Sequence, residues 1–494
     1  MDRYRAHLRD RYRAIVGYVG MLAAIIGVIN LVPVLLIVFY PDEAVHAGGF
    51  LLGGLPMLVL GLLAAKRFIP REPISLDIQE GSVVVLLAWL LGILSSAVPM
   101  MAGVGLNFSQ GVFESTSAWT TTGLSVVDVT TAPNLILFFR SWLQACGGAG
   151  FAIIALSAVA GSFASGLSAA EGRTDQLAPN VRQSATLVFR IYIAYNVVGI
   201  IALLIAGMEP LDAVVHAFSA VSGGGFSTKV DSIGHWDSLA IEAVIIVLMV
   251  LSALNFVIAY TLLQRKFRTA IRNGELRMML AGLVVGPLLL FGIVVPLYPT
   301  AHEGVRAAVF EAASAWTTTG FSTTSYLPWA EFGWLVLISL MLIGGGTGST
   351  AGGIKQLRIY ILYKSVIWEL KRAFLPKHAI NEPAIWHGER RDLLNDKQVR
   401  QAALFVGMYI TVFFIGSGII AAHGYTLRES LFEFTSSLST VGLSVGVTRP
   451  DMPLGVMWTQ TAGMFLGRLE FFAVLIGVFK LTGDLRQMAS RRDD

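Results

Sequence analysis

The chain has 494 residues, of which 55% are hydrophobic and only 14% are charged, and its mean hydropathy is +0.68. A soluble domain carries roughly 25% charged residues, so this composition excludes an ordinary soluble protein and predicts an integral membrane protein. The net charge of +4 identifies no partner, and the lone Cys146 excludes an intrachain disulfide framework.

Apolar runs that are close to the ~20 residues needed to span a bilayer recur along the chain. They occupy 18–40, 83–106, 191–208, 243–263, 278–297, 402–422 and 456–478. The first run is too long for the apolar core of a secretory signal, so we interpret it as a retained helix. We expect an all-α polytopic membrane protein with about ten spanning segments.

Basic residues concentrate in alternate connections between these runs. They precede the first helix and then recur at 66–71, 173–190, 265–277, 364–400 and 480–492. By the positive-inside rule, both termini and the long 364–400 connection are predicted to face the cytoplasm. Topology accounts for the charges, so no nucleic-acid partner is expected, and the lipid contact we expect is with the surrounding membrane.

One thirteen-residue motif occurs twice almost unchanged, as FESTSAWTTTGLS at 113–125 and as FEAASAWTTTGFS at 310–322. Two weaker copies align with it on a reference glycine, which gives the set Gly123, Gly225, Gly320 and Gly442. Each glycine has a serine two positions later and another six positions earlier. Nine positions earlier stand Glu114, His216, Glu311 and Glu433. Four copies, 95 to 122 residues apart, predict a tandem array of four pore units.

Each pore unit combines a long apolar helix, a short amphipathic helix, the glycine-containing loop and a second apolar run. In the first unit the short helix at 108–119 would span about 18 Å, which is half a bilayer. Such a helix must turn back, and its non-helical exit exposes backbone that is tolerated only inside protein or next to water. Four loops around one axis would offer rings of carbonyl oxygens to a cation. The alternative is that these are small-residue motifs for close helix packing.

We divide the chain by this repeat. Two additional N-terminal helices occupy 1–75. The four pore units, in pseudo-fourfold arrangement, occupy 76–180, 181–275, 276–395 and 396–494.

Together these motifs resemble the Trk/Ktr superfamily of potassium transporters. The four reference glycines match the filter glycines of that family. GGGTGSTAGGIK at 344–355 interrupts the expected second helix of pore unit 3, and GRLE at 467–470 lies in that of pore unit 4. Extra N-terminal helices near 16–40 and 47–66 favour the TrkH branch over the shorter KtrB branch.

The resemblance implies uptake of K⁺ through a gated central pore and no enzymatic activity. Its implied filter residues are Thr121, Thr122, Gly123, Gly223, Gly224, Gly225, Thr318, Thr319, Gly320, Thr440, Val441 and Gly442. Its implied gate residues are Gly344, Gly345, Gly346, Thr347, Gly348, Ser349, Thr350, Ala351, Gly352, Gly353 and Arg468. It also implies a prokaryotic cytoplasmic (inner) membrane location, a homodimer with one pore per chain, and a cytosolic nucleotide-binding ring of the TrkA type. That ring would dock on the 364–400 connection, for which a solvated linker is the alternative.

The residues themselves support an irregular, mobile segment at 344–353. Six glycines in ten residues disfavour a continuous helix, at roughly 1 kcal/mol per glycine relative to alanine. A phosphate-binding loop would need Gly-Lys-Ser/Thr, whereas Gly353 is followed by Ile354. A static kink for helix packing remains an alternative to a gate.

Arg468 and Glu470 lie within an apolar run, where a charge is costly and normally faces a cavity or a partner. A structural ion pair is the alternative to a gating role for Arg468, and we expect Glu470 to be structural. Trp119 and Trp316 stand at matching positions before two of the loops, and we expect them to be packing wedges.

Two sequence departures bear on selectivity. Pore unit 2 reads SGGGFS at 222–227, so one filter wall loses two threonine oxygens, and Val441 replaces a threonine in pore unit 4. A weakly selective K⁺/Na⁺ or ammonium transporter is therefore the alternative function. An intramembrane enzyme would need clustered nucleophiles or metal ligands, but the eight histidines are scattered, and a receptor or scaffold would pass no ions.

Overall fold

The structure is a computed structural model that describes residues 2–70, 76–150, 181–376, 384–387 and 390–489. Within these ranges, six helices are long and apolar enough to cross a membrane, and the number rises to eight if each of two bent helix pairs counts as one span. The chain is therefore a helical, multi-pass membrane protein, as the sequence predicts. The part of pore unit 1 expected at 151–180 lies outside the described residues.

Two N-terminal helices precede the repeat. They are α1 (Asp2–Leu31), which continues as a 3₁₀ helix, and α2 (Ala47–Phe68). Glycines let these helices pack closely: a Cβ on Gly27 would meet the backbone of Leu58 at 2.5 Å, and one on Gly61 would meet the backbone nitrogen of Ala24 at 2.5 Å. Small residues at such crossings allow backbones to approach within the membrane.

The first helix of every pore unit is long. These helices are α3 (Ile78–Val104), α6 (Val181–Ile205), α11 (Gly274–Val294) and α15 (Asp396–Ala422).

A half-length helix follows in every unit, as the sequence predicts. These helices are α4 (Phe108–Trp119), α7 (Pro210–Ser222), α12 (Ala301–Trp316) and α16 (Leu427–Leu438). Their 12 to 16 residues correspond to about 18–24 Å.

Local sequence explains where the half-length helices begin. Asn107 forms a capping box at the start of α4 and Thr426 forms one at the start of α16, each satisfying free amide groups of the first turn. Thr300 caps α12 through its hydroxyl, which accepts from the N–H of Glu303. Pro210 opens α7, where its missing N–H leaves no bond unmade.

The second apolar run is broken in pore units 2, 3 and 4. Its parts are α8 (Leu239–Ala253) with α9 (Phe256–Leu263), α13 (Glu331–Ile343) with α14 (Gln356–Ala373), and α17 (Leu454–Leu469) with α18 (Phe471–Ala489). In pore unit 1 the helix α5 (Asn134–Gly148) ends shortly before the undescribed residues. A short helix, α10 (Phe267–Arg272), links units 2 and 3.

The sequence predicted only the break in unit 3. Continuous spans were expected at 243–263 and 456–478. The structure instead bends the first by 113° after Ala253 and interrupts the second at Glu470, whose φ is +58°. Asn255 explains the first break, because its side chain caps the N-terminus of α9.

A small hairpin lies in the long connection between units 3 and 4. Strands β1 (Ala384–His387) and β2 (Arg390–Leu393) pair antiparallel, with Ala384 opposite Leu393. Ile385 packs with Ile361 of α14 and Ala402 of α15. This hairpin was not predicted from the sequence, and it adds a short sheet to a fold that is otherwise helical in the described residues.

The chain divides into two compact bodies. The first comprises 1–120, 126–190 and 469–494, and the second comprises 121–125 and 191–468. In the first body, Arg11 of α1 forms an ion pair with Glu80 of α3, and the hydroxyl of Tyr12 donates to Asp484 of α18 at 2.7 Å. In the second body, α11, α12 and α13 contribute Met279, Trp316 and Trp334 to one apolar core. The four predicted pore-unit boundaries follow the repeat and stay a prediction.

The close crossing of α1 and α2 gives a stability prediction. Gly61→Ala should lower the free energy of unfolding by about 1–3 kcal/mol, because the added methyl group overpacks against the α1 backbone. Gly48→Ala is the matched control, since a Cβ at Gly48 meets no atom within 4 Å. Unfolding of the purified protein measures both, and equal stability of the two variants would contradict the proposed packing.

Candidate functional site

The four reference glycines form a closed ring of neighbours within the second compact body. A Cβ added to each would collide with the carbonyl oxygen of the residue that precedes the reference glycine of the next pore unit. The pairs are Gly123 with Gly224, Gly225 with Thr319, Gly320 with Val441, and Gly442 with Thr122. Because the last pair returns to the first loop, the loops follow one another in chain order and close. The structure thus brings together all four loops that the sequence singled out.

The backbone of the loops repeats as closely as their sequence. The reference glycines have φ values of +94°, +68°, +87° and +103° in chain order. Two residues before each glycine, Thr121, Gly223, Thr318 and Thr440 also have positive φ, between +50° and +71°. Positive φ is strongly unfavourable for β-branched residues, so the threonines at this position in three of the loops are strained. Gly223 adopts the same conformation without strain, and the departure SGGGFS therefore preserves the backbone path.

The amide groups of the loops bond back to the half-length helices. The set comprises the N–H of Gly224 to the carbonyl of Ser219 at 2.8 Å, that of Thr319 to Ser314 at 3.0 Å, and that of Val441 to Ser436 at 2.8 Å. In units 3 and 4 the serine hydroxyl also accepts from the glycine: Gly320 N–H to Ser314 Oγ is 3.1 Å, and Gly442 N–H to Ser436 Oγ is 3.0 Å. In pore units 2, 3 and 4, the serine six positions before the reference glycine therefore accepts hydrogen bonds from N–H groups of the loop.

In the loops of pore units 3 and 4, carbonyl oxygens next to the reference glycine are left available. Among the described residues, the carbonyl oxygens of Thr319, Gly320, Val441 and Gly442 accept no hydrogen bond. Buried backbone carbonyls are normally paired, so an unpaired run of them calls for another ligand. Carbonyl oxygen is a ligand that cations without their water shell prefer.

The acidic position repeated nine residues before the glycine anchors the exit of the loop. Glu311 accepts from the N–H of Thr323 at 2.7 Å and from the hydroxyl of Tyr326. Glu433 accepts from the N–H of Val445 at 3.0 Å and that of Thr448 at 2.9 Å. The sequence revealed this position but gave it no role.

The other two units use variations of this anchor. In the first compact body, Glu114 accepts from the N–H of Val126 at 2.9 Å and is paired with buried Arg140 at 2.7 Å. In pore unit 2, Nε2 of His216 lies 2.9 Å from Oγ of Ser227, so the histidine makes the equivalent contact. The sequence analysis did not predict the ion pair between Arg140 and Glu114, because nothing near Arg140 in the sequence points to position 114.

The glycine-rich segment 344–353 is irregular, as predicted, and it closes on itself at its base. The N–H groups of Ile354, Lys355 and Gln356 donate to the carbonyls of Leu342, Ile343 and Gly345 at 2.9, 3.0 and 2.9 Å. These bonds replace the interrupted helical pattern, so the segment projects as a loop from an otherwise connected span.

This segment lies against the loops and against Arg468. The N–H of Gly352 donates to Oγ1 of Thr318 at 2.7 Å, and a Cβ on Gly352 would collide with the side chain of Thr440. The hydroxyl of Thr350 donates to the carbonyl of Ser252 at 3.0 Å. The guanidinium of Arg468 donates to the carbonyl of Thr350 at 2.7 Å. The predicted gate residues therefore contact predicted filter residues directly.

Glu275 holds the far side of the same segment and was missed by the sequence analysis. This buried carboxylate accepts from the N–H of Thr347 at 2.7 Å and from the side-chain amide of Asn255 at 3.2 Å. It thereby joins the break between α8 and α9 to the glycine-rich segment. A carboxyl group in the first turn of a helix is normally an ordinary cap, so nothing in the local sequence distinguishes it.

Trp119 and Trp316 are buried packing residues, as predicted. The indole N–H of Trp119 donates to the hydroxyl of Ser96 at 3.0 Å, and that of Trp316 donates to the carbonyl of Met279 at 3.1 Å.

A family model described as TrkH, a cation transport protein, matches residues 57–301 and 276–484. The chain belongs to the TrkH family. It is 30% identical to the Trk system potassium uptake protein TrkH of Escherichia coli K12, over 94% of this chain and 98% of that protein. It is 29% identical to an uncharacterised cation transporter of Methanocaldococcus jannaschii, over 94% of each chain. The crystal structure of the potassium transporter TrkH from Vibrio parahaemolyticus superimposes with a TM-score of 0.81 at 28% identity, covering 94% of this chain and 98% of that one.

The anchor of this TrkH-family loop in pore unit 4 gives a prediction. Glu433→Ala should lower the free energy of unfolding by about 2–4 kcal/mol, because several buried donors would lose a charged acceptor. Glu331→Ala is the control: that carboxylate is exposed and pairs with exposed Arg428, so its loss should cost less than about 1 kcal/mol. Unfolding of both purified variants is the measurement, and a Glu433 variant as stable as the control would disprove the anchoring role.

Proposed function

We propose that this chain takes up K⁺ across the cytoplasmic membrane through a central pore, and that the ring of four loops is its selectivity filter. One observation carries the proposal: the four reference glycines close a ring, each against a carbonyl of the next loop. In pore units 2, 3 and 4 amide groups of the loops bond to the half-length helices, and in units 3 and 4 the carbonyl oxygens of Thr319, Gly320, Val441 and Gly442 remain as cation ligands. The names of the relatives, which are potassium uptake proteins and cation transporters, agree with this cargo.

The filter would act by replacing the water shell of the ion. Carbonyl oxygens on a backbone held by Ser314 and Ser436 are fixed in position before the ion arrives. The C-terminal ends of α7, α12 and α16 lead directly into the loops, and the negative ends of their dipoles favour a cation there. K⁺ is the cargo of this site and is released on the other side.

The membrane potential is a sufficient driving force. Each positive charge that crosses gains ~2.3 kcal/mol per 100 mV. At roughly 150 mV this is about 3.5 kcal/mol, which supports an accumulation of roughly a few hundred-fold. Coupling to Na⁺ or H⁺ is not needed for this gradient.

The glycine-rich segment and Arg468 are proposed as the gate. The segment touches Thr318 and Thr440 next to the filter, and Arg468 holds it through the carbonyl of Thr350. A positive charge beside a cation pathway opposes passage while the segment stays in place. Displacing the segment would remove both the obstruction and the contact that positions the arginine.

A weakly selective K⁺/Na⁺ or ammonium pathway remains the second candidate. It rests on the wall formed by Gly223, Gly224 and Gly225, which has no side-chain oxygen. The positive φ of Gly223 matches that of the threonines in the other units, which favours an intact backbone path and hence the K⁺-selective proposal.

Orientation and assembly follow from the charges and the relatives. We propose that both termini and the 364–400 connection face the cytoplasm, by the positive-inside rule. Two of the relatives are named as parts of a Trk system, which supports a partnership with regulatory subunits. We further propose that the chain is a homodimer and that its partner is a cytosolic nucleotide-binding ring, as the resemblance implies. The hairpin β1–β2 and helix α14 form the part of this connection that the structure describes.

Ion flux in liposomes tests the function. Purified protein should pass K⁺ and Rb⁺ faster than Na⁺, with and without a cytosolic partner. Equal permeation of Na⁺ and K⁺ would favour the weakly selective pathway, and a complete absence of flux in a variant lacking 345–352 would reject ion transport.

A filter glycine gives the first mutational prediction. Gly320→Val should reduce Rb⁺ uptake at least about tenfold, because a Cβ there collides with the Val441 carbonyl and φ is +87°. Gly407→Val on helix α15 is the control, since a Cβ at Gly407 meets no atom within 4 Å. Both variants are compared at equal membrane content, and unchanged uptake by the Gly320 variant would count against the filter.

Arg468 gives the second mutational prediction. Arg468→Ala should raise K⁺ flux severalfold, because the glycine-rich segment loses the bond to Thr350 and the pathway loses a positive charge. Arg428→Ala, at an exposed ion pair with Glu331, should leave flux unchanged. Liposome flux is the readout, and a folded Arg468 variant with unaltered or lower flux would remove this residue from the gate.

A further inference from the structure

Asn30 is a polar residue inside the first membrane span. The span covers Leu8–Val38, and the side chain of Asn30 is fully buried within the protein. A polar side chain at membrane depth is costly, so it normally pairs with a partner and often marks a functional element. Asn30 belongs to α1, which precedes the fourfold repeat and supplies none of the predicted filter or gate residues.

Contacts with α2 and α3 fix the orientation of this amide. Nδ2 of Asn30 donates to the hydroxyl oxygen of Ser95 at 3.2 Å and to the carbonyl of Gly53 at 3.5 Å. Because the amide nitrogen is directed at these acceptors, Oδ1 faces Ser96, whose hydroxyl donates to it at 2.8 Å. The amide therefore holds the hydroxyl of Ser96 in one direction.

Ser96 connects Asn30 to the end of the half-length helix α4. The hydroxyl of Ser96 donates its hydrogen to Asn30, and its oxygen accepts from the indole N–H of Trp119 at 3.0 Å. A hydroxyl has one hydrogen and two lone pairs, so pointing the hydrogen at the amide leaves a lone pair for the indole. The three side chains form one chain of hydrogen bonds from α1 to α4.

The helix α3 offers Ser96 no equally free acceptor. A serine inside a helix usually donates to a carbonyl three or four positions earlier. Those carbonyls belong to Ile93 and Gly92, and they already accept from the hydroxyls of Ser115 at 2.7 Å and Ser95 at 3.2 Å. The direction of the Ser96 hydroxyl therefore depends on the amide from α1.

The equivalent tryptophan in pore unit 3 is held more simply. Trp316 donates its indole N–H directly to the backbone carbonyl of Met279 in α11, the first helix of its unit. Pore unit 1 replaces this backbone acceptor by the hydroxyl of Ser96. Trp119 is the last residue of α4, and Thr121, the first implied filter residue of the unit, follows two positions later.

Close packing couples the indole of Trp119 to the main chain of α4. The ring lies against Trp89 of α3, with 6.2 Å between the ring centroids. The carbonyl of Trp119 packs against Gly147 of α5, where an added Cβ would collide with it. Since both ends of the residue are confined, a shift of the indole moves the backbone from which the loop begins.

We propose that Asn30 is a positioning residue for ion selectivity, which acts on the loop of pore unit 1 through Ser96 and Trp119. This inference rests on the proposed function and gives the N-terminal helices a part in it. The amide fixes the hydroxyl, the hydroxyl fixes the indole, and the indole sets the point at which the loop leaves α4. Selectivity depends on the oxygens that surround the ion, so loss of the amide weakens discrimination between ions before it abolishes flux.

Uptake of Rb⁺ and Na⁺ by liposomes that contain the full-length protein tests this role. Asn30→Ala should lower the Rb⁺/Na⁺ uptake ratio about threefold to tenfold, as expected for one buried hydrogen bond, and should raise the Rb⁺ concentration for half-maximal uptake. A smaller amount of folded protein would lower only the maximal rate. Ser95→Ala is the matched control, because Ser95 contacts Asn30 without lying between it and Trp119, and it should keep the wild-type ratio.

A double-mutant cycle tests the path from Asn30 to the loop. Trp119→Phe removes the indole N–H, so Asn30→Ala should lower the ratio no further when the two are combined. Combined with Trp316→Phe, Asn30→Ala should lower the ratio by its full factor, since Trp316 bonds to Met279 instead. If Asn30→Ala does not assemble, Ser96→Ala breaks the same link and should give the same reduced ratio.

The outcomes separate this inference from the proposed function. A wild-type ratio in both Asn30→Ala and Ser96→Ala, or effects of Asn30 and Trp119 that multiply independently, would overturn the inference and leave selective K⁺ uptake standing. Equal passage of Rb⁺ and Na⁺ by the wild-type protein would defeat the K⁺-selective proposal and, with it, this inference.

Discussion

Every part of the site depends on how non-helical backbone is satisfied at membrane depth. Water does not reach lipid-exposed amide groups, so the N–H side of each loop must find an acceptor in the protein. Ser219, Ser314 and Ser436 provide it from the preceding half-length helix. Once those bonds are made, the carbonyl oxygens of Thr319, Gly320, Val441 and Gly442 have no protein donor, and a dehydrated cation is the natural counterpart. The polar repeat is therefore the reason why the loops can expose oxygen.

The exit from each loop is fixed in a second, independent way. Glu114, Glu311 and Glu433 receive amide groups three residues beyond the glycine, and His216 receives a serine hydroxyl instead. A buried carboxylate needs several donors to offset its loss of water, and these turns supply them. Arg140 gives Glu114 a further partner of opposite charge. The loops of pore units 2, 3 and 4 are thus held at their entrance by serine, and all four loops are held at their exit by an acid or a histidine.

The sequence predicted those features that repeat. Four aligned glycines, with serine and acid at constant spacing, placed the half-length helices and the loops correctly, because each unit needs the same local chemistry. The breaks after Ala253 and at Glu470 were missed, since the runs around them are apolar and contain no glycine cluster. The break after Ala253 is stabilised by the local cap of Asn255 on α9 and also by the contact of Asn255 with Glu275, which is distant in sequence. The β1–β2 hairpin was missed for a similar reason: its core residue Ile385 gains its neighbours from two helices.

The closed ring of glycines gives the pathway a handedness. The space beside each reference glycine is filled by the following loop, as Thr319 fills it beside Gly225 and Val441 beside Gly320. A side chain added at one reference glycine would therefore push against the next loop in chain order. Because the four loops differ chemically, a bulky substitution at one reference glycine should displace the carbonyl oxygen of the next loop in chain order.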